Sequence, residues 1–212
     1  MHSSDKYFIY SKTETDYLSS KDKKLSQAIE LIGSINRQVT PDLFKSLINS
    51  IVGQQISTKA QVTIWKRMNE FCGEITAPAL LIPARQIQSF GITMRKAEYI
   101  RAIAEKVCSG ELDLGLLHSM PDEGVIKQLT GLPGIGVWTA EMLMIFSMQR
   151  RDIFSFGDLA IHRGLRMLYR HKEIKRDRFE MYRRRYSPYG SVASLYLWEI
   201  ASGRWSEFKD TI

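Results

Sequence analysis

Cysteine is scarce in this chain of 212 residues: there are two, Cys72 and Cys108, and both read as small core residues. Two thiols cannot build a disulfide framework, a four-thiolate zinc site or a four-cysteine iron–sulfur cluster. No run approaches the roughly 18 apolar residues that a membrane-spanning helix needs. The opening MHSSDKYFIYSKTETDYLSSKDKK is polar. It lacks the apolar core and small-residue cleavage site of a secretory leader, so the expected address is the cytoplasm, at the nucleoid if the charge serves nucleic acid. Neither a Gly/Ser-rich nor a Pro-rich linker interrupts the chain, and no repeat or low-complexity tract is found. Any lobes are therefore expected to pack closely around a shared cleft.

What the chain does have is positive charge. Thirty Lys and Arg against 23 Asp and Glu leave a formal net charge of +7. Nearly all the excess lies in residues 166–185, RMLYRHKEIKRDRFEMYRRR, where nine basic side chains meet three acidic ones. Such a block either faces a polyanion or is a solvated helical face, and alone it decides nothing.

Hydrophobic spacing is helical. Val62, Trp65, Met68 and Cys72 form a stripe that stops at Gly73, and Ala97, Ile100, Ala104 and Val107 form another before Gly110. Thr40 is the expected N-cap of a helix with Pro41 in its first turn. Further helices are predicted over 23–33, 122–130, 136–149, 158–169, 176–185 and 188–202. The nearest approach to a strand is IFSF at 153–156. The fold class is all-α.

The chemistry concentrates in 129–169. A helix ending near Leu129 meets Leu132-Pro133-Gly134-Ile135-Gly136, and a second helix starts at once at Val137. Glycines between helices permit positive φ and close backbone approach. The bare amides of a helix start favour an anion, so this turn can grip a DNA phosphate without reading sequence. A plain corner between helices explains the turn equally well. Asp158 follows in FSFGDLAIHRGL, where Asp is also a favoured N-cap for the helix after it. A carboxylate at a helix start sits in the positive end of the dipole.

The combination of LPGIGVWTAEM with Asp158 resembles the helix-hairpin-helix (HhH-GPD) superfamily of base-excision DNA glycosylases. Within it, the chain is most similar to the 3-methyladenine DNA glycosylase II type, which repairs alkylated bases. LINSIVGQQISTKAQ (47–61) and SPYGSVASLYLWEIASG (187–203) continue the likeness, which covers about residues 20–205. It implies a two-lobed helical fold with the active-site cleft between lobes. One lobe is 43–150, carrying the hairpin at about 122–149. The other combines 1–42 with 151–212 and carries the Asp.

The same resemblance implies the roles. Asp158 is the catalytic carboxylate, which stabilises the oxocarbenium-like sugar and orients water. Trp138 and Trp198 flank the flipped base, because an aromatic face attracts a purine made cationic by alkylation. Met142 stands where related sequences carry a further aromatic. Gln55 enters the minor groove and fills the vacated stack. Gly134, Gly136 and Thr139 hold phosphate, while the carbonyls of Thr130, Leu132 and Ile135 hold a Na+ or K+ ion. Tyr189 faces the cleft, and Arg163 is a structural or phosphate contact. His162 reads as a surface or packing residue.

Two differences from other branches follow. Strand-cutting members carry a lysine just after the hairpin, which forms a Schiff base with the sugar. Here that position is Trp138, so a monofunctional hydrolase of alkylated purines in duplex DNA is expected, without lyase activity. No iron–sulfur cluster or other cofactor is expected, and no extra β-domain. The partner is double-stranded DNA, with no membrane, and the protein is expected to be a monomer. The competing readings are a mismatch or other damaged-base glycosylase on the same fold, a catalytically inactive DNA-binding relative, and a basic helical interaction protein.

Overall fold

The computed structural model describes residues 7–209. In chain order the α-helices are α1 (Lys12–Lys21), α2 (Lys23–Ile32), α3 (Leu43–Gly53), α4 (Thr58–Cys72), α5 (Ala84–Gln88) and α6 (Met94–Cys108). They continue with α7 (Leu114–Leu117), α8 (Asp122–Thr130), α9 (Val137–Phe146), α10 (Leu159–Tyr169), α11 (Arg176–Tyr186) and α12 (Gly190–Ala201). Among the described residues there is no strand, only an isolated antiparallel bridge between Tyr7 and Gln38. No helix is long and apolar enough to cross a membrane.

The chain divides into two compact units. One comprises the described residues up to Val39 and those from Met144 onward. Its core is built from Leu18, Leu25, Ile161, Leu165, Phe179, Tyr186, Leu197 and Ile200, all fully buried. Asp22 joins three helices here. It ends α1, caps α2 by accepting the N–H groups of Lys24 and Leu25 (both 3.0 Å), and pairs with Arg185 of α11. Within the basic block, Arg176 and Arg183 also share Glu180 at 3.0 and 2.6 Å. Part of the charge that stood out in the sequence is therefore neutralised within the fold.

The other unit is Thr40–Leu143, so the division falls inside α9 rather than near residue 150. Its core is Leu47, Ile48, Ile51, Met68, Ile87, Ile100, Ile103, Val125 and Leu129. Three local expectations need correction. The N-cap of α3 is Asp42, whose Oδ1 accepts the Lys45 N–H at 2.9 Å, and not Thr40. On α4 the buried face runs through Ile64 and Met68, while Val62 is 63% exposed. Cys108 is exposed and Cys72 only half-buried. In keeping with the all-α reading, the IFSF segment is no strand: Ile153 lies along α12, its N–H donating to Ser191 Oγ (3.0 Å) and its carbonyl accepting from Ser194 Oγ (3.3 Å). Serine hydroxyls satisfy the backbone that a neighbouring strand would otherwise pair.

Candidate active site

In the first unit the site is built on Asp158. Its Oδ1 accepts the N–H groups of Ala160 and Ile161, both at 2.9 Å, so it caps α10. The same oxygen accepts the indole Nε1–H of Trp198 at 3.2 Å. Three donors on one oxygen fix the plane of the carboxylate. Asp158 is only 6% exposed, yet its neighbours Gly157 and Leu159 are exposed, Leu159 at 83%. The buried carboxylate thus lies just beneath exposed main chain.

Trp198, half-buried on α12, stacks on Phe146 at the end of α9, with centroids 5.5 Å apart and planes inclined by 30°. The guanidinium of Arg37 stands over both rings, 5.1 Å from Phe146 and 6.0 Å from Trp198. Asp152 organises the start of α12, accepting the Gly190 N–H (3.0 Å) and Ser187 Oγ–H (2.6 Å). His162 is a packing residue: its Nε2 meets the Phe156 carbonyl at 2.8 Å and its ring stacks on Phe179 at 5.2 Å. Tyr189 packs edge-on against Tyr17 at 5.1 Å. Arg163 is exposed on α10.

In the second unit, α8 and α9 form the hairpin. Its two glycines do different work. Gly134 has φ +81°, and a Cβ there would lie 2.6 Å from the Tyr99 ring, so only glycine fits. A Cβ on Gly136 would meet nothing within 4 Å, so its backbone faces open space. The first-turn amides of α9 follow, with Val137 and Trp138 54% and 49% exposed. Thr139 and Met142 are half-buried on α9.

Gln55 leaves the end of α3 in the left-handed region, φ 57°. The loop is held on both sides of it. Gln54 Nε2 donates to the Gly134 carbonyl at 2.8 Å, tying the loop to the hairpin. Lys96 Nζ donates to the carbonyls of Val52 (3.0 Å) and Gln54 (2.5 Å), and burial pushes its pKa below the usual value. The exposed Gln55 side chain therefore projects from a braced base.

Among the described residues no group of three His, Cys, Asp or Glu could hold a metal ion. A cation at the hairpin would have carbonyl oxygens alone. Leu132 O accepts the Ile135 N–H at 3.2 Å and retains a second lone pair, so this carbonyl is still able to accept a further partner.

A profile of HhH-GPD superfamily base excision DNA repair proteins matches residues 48–187. The chain belongs to this superfamily. The match takes in Gln55, the hairpin and Asp158 but ends before Trp198 and begins after Arg37. DNA-3-methyladenine glycosylase 1 of Schizosaccharomyces pombe is 30% identical over 197 residues, 87% of this chain and 85% of its own length. A crystal structure of DNA-3-methyladenine glycosidase from Bacillus halodurans superposes with a TM-score of 0.85 at 36% identity, covering 93% of each chain. A Schizosaccharomyces pombe 3-methyladenine DNA glycosylase in complex with abasic DNA gives 0.78 at 26%, covering 93% of this chain and 100% of that one.

For this superfamily member, sequence reasoning missed Arg37, Phe146, Asp152, Gln54 and Lys96. Gln54 stands beside a residue that was singled out, and its amide pairs 80 positions away. Nothing in the local sequence of Arg37 or Lys96 separates them from solvated cations.

Proposed function

We propose that the protein is a monofunctional DNA glycosylase that hydrolyses the N-glycosidic bond of alkylated purines, of the 3-methyladenine and 7-methylguanine type, in duplex DNA. The observation that carries this reading is Asp158, a buried carboxylate held by two helix amides and the Trp198 indole, between the exposed residues Gly157 and Leu159. Alkylation at N3 or N7 gives the purine a positive charge, so the base leaves with the bond's electron pair and needs no strong general acid. Positive charge then grows on the sugar, and Asp158 opposes it in a sheltered setting where electrostatic effects are strong. Water adds to C1′ and loses its proton, completing the exchange of the C–N bond for a C–O bond.

Trp198 supplies aromatic surface for the base, and the resemblance gives Trp138 and Met142 the same role. Gln55 fills the stack after the nucleotide is extruded, at a cost of a few kcal/mol that is least for a damaged base. Gly134, Gly136 and Thr139 take phosphate, and the carbonyls of Thr130, Leu132 and Ile135 hold Na+ or K+, whose charge draws that phosphate in. With Trp138 where lyases have lysine, no covalent sugar adduct forms and the strand stays intact. The enzyme acts as a monomer without a redox cofactor.

The test is incubation with duplex oligonucleotides that each carry one defined lesion. Released 3-methyladenine or 7-methylguanine and an abasic strand that breaks only on heating with base are expected. No release of any methylated purine overturns the substrate class. Scission without such treatment overturns the monofunctional reading.

A further inference from the structure

Arg37 lies far from Asp158 in sequence, yet its backbone is no loose tail. The Phe8 N–H donates to the Arg37 carbonyl at 2.8 Å, Tyr7 bridges to Gln38, and Phe8 is 4% exposed. From this anchored position the guanidinium reaches the Phe146–Trp198 stack, whose indole N–H holds Asp158. Cation, ring, ring and carboxylate thus form one connected series within a single unit. Among the described residues no carboxylate pairs with Arg37.

We propose that Arg37 is a specificity-determining residue that ranks substrates by the charge of the departing base. This inference rests on the glycosylase reading above. A bare aromatic face favours a cationic purine over a neutral one. Here the face already carries a permanent cation, since a guanidinium does not give up its charge. A methylated purine brought against Trp198 competes with Arg37 for the same ring electrons and is repelled by its charge. A neutral modified purine, such as hypoxanthine, stacks on the same rings without that penalty. Arg37 thereby levels the advantage of cationic over neutral bases and opens the site to neutral lesions. The guanidinium is exposed and the main chain carries the anchoring contacts, so the side chain can be changed without removing them.

The experiment compares single-turnover excision of 7-methylguanine and hypoxanthine from otherwise identical duplexes, using wild type, Arg37→Gln and Arg37→Lys. Arg37→Gln is expected to raise the 7-methylguanine to hypoxanthine ratio by roughly three- to tenfold. Arg37→Lys, which keeps the charge, should stay within about twofold of wild type on the same scale. An unchanged or lower ratio in Arg37→Gln overturns the proposal. Equal losses on both bases together with a shallower salt dependence of DNA binding also overturn it, making Arg37 a phosphate ligand. Release of 7-methylguanine by Arg37→Gln but not by wild type supports the charge role and narrows the native substrates. If neither wild type nor variant releases any modified purine, the glycosylase reading fails and the Arg37 proposal fails with it.

Discussion

A Cβ on Gly164 would lie 2.3 Å from the carbonyl oxygen of Leu197, so α10 and α12 meet backbone against backbone at this point. Trp198 follows Leu197, and Asp158 caps the helix that holds Gly164. The indole–carboxylate bond therefore depends on a glycine six positions from the carboxylate. Gly164→Ala should push the helices apart, lowering stability by about 1–3 kcal/mol as in other overpacked contacts. Excision should fall more than the loss of folded protein explains. Denaturant unfolding and single-turnover rates on the same preparation check this, and an unshifted midpoint would disprove the tight contact.

Asp158→Asn keeps the shape and an acceptor oxygen for Ala160, Ile161 and Trp198 but removes the negative charge. Stability should change by less than about 1 kcal/mol because the cap survives. Excision should drop at least about a hundredfold, as when a preorganised electrostatic partner of a transition state is lost. A variant that releases base at the wild-type rate ends the assignment of Asp158.

Gln54→Ala cuts the tether between the Gln55 loop and the Gly134 carbonyl. Its effect should be largest for a lesion in a fully paired duplex, where insertion into the stack is needed. The same lesion in a single strand should be affected less. Equal effects on both substrates would remove the bracing role.

Gly136→Ala has room for its methyl group, so the variant should fold with an unchanged melting temperature. On the proposed role of Gly136, DNA affinity should fall, because the methyl would stand between the backbone and the phosphate it is proposed to hold. Binding measured over a range of salt concentrations checks this. Wild-type affinity would show that the hairpin grips DNA elsewhere.

Glu14 closes a capping box, its Oε2 accepting the Ser11 N–H (2.9 Å) and Oγ–H (2.7 Å), with Arg151 at 3.7 Å from Oε1. Burial raises its pKa, but the Ser11 hydrogen bonds and Arg151 outweigh it and hold the carboxyl below its ordinary value of 4.5. The unfolded chain then binds the proton more readily. The stabilisation is complete above the ordinary value and is lost as pH falls through the depressed one. Glu14→Gln should be less stable than wild type by about 1 kcal/mol at pH 7, and the gap should close on acidification below about pH 4. Thermal melts across pH check the sign, and a gap that widens in acid would refute it.

Several features are legible in the amino-acid sequence alone. The caps and the 3.6-residue spacing give helices α2, α6, α8, α10, α11 and α12 to within a residue or two. Asp158 can be read as a cap because its bonds run two and three residues ahead. The Pro-Gly-Ile-Gly turn is likewise written in adjacent residues. Local signals of this kind need no knowledge of the rest of the chain.

Other features come only from long-range packing. Trp198 reaches Asp158 over 40 positions and Gln54 reaches Gly134 over 80, while Arg37 meets Phe146 and Trp198 from an irregular segment without periodicity. The buried face of α4 shifted from Val62 to Ile64 because neighbouring helices choose which side is covered. At IFSF the backbone groups of Ile153 are taken by Ser191 and Ser194, partners no local pattern names. Short-range bonding specifies helices and their ends, whereas side-chain contacts between helices exist only once the chain has closed on itself. That closure put a bonded indole beside the carboxylate and a cation over the aromatic stack to which the indole belongs.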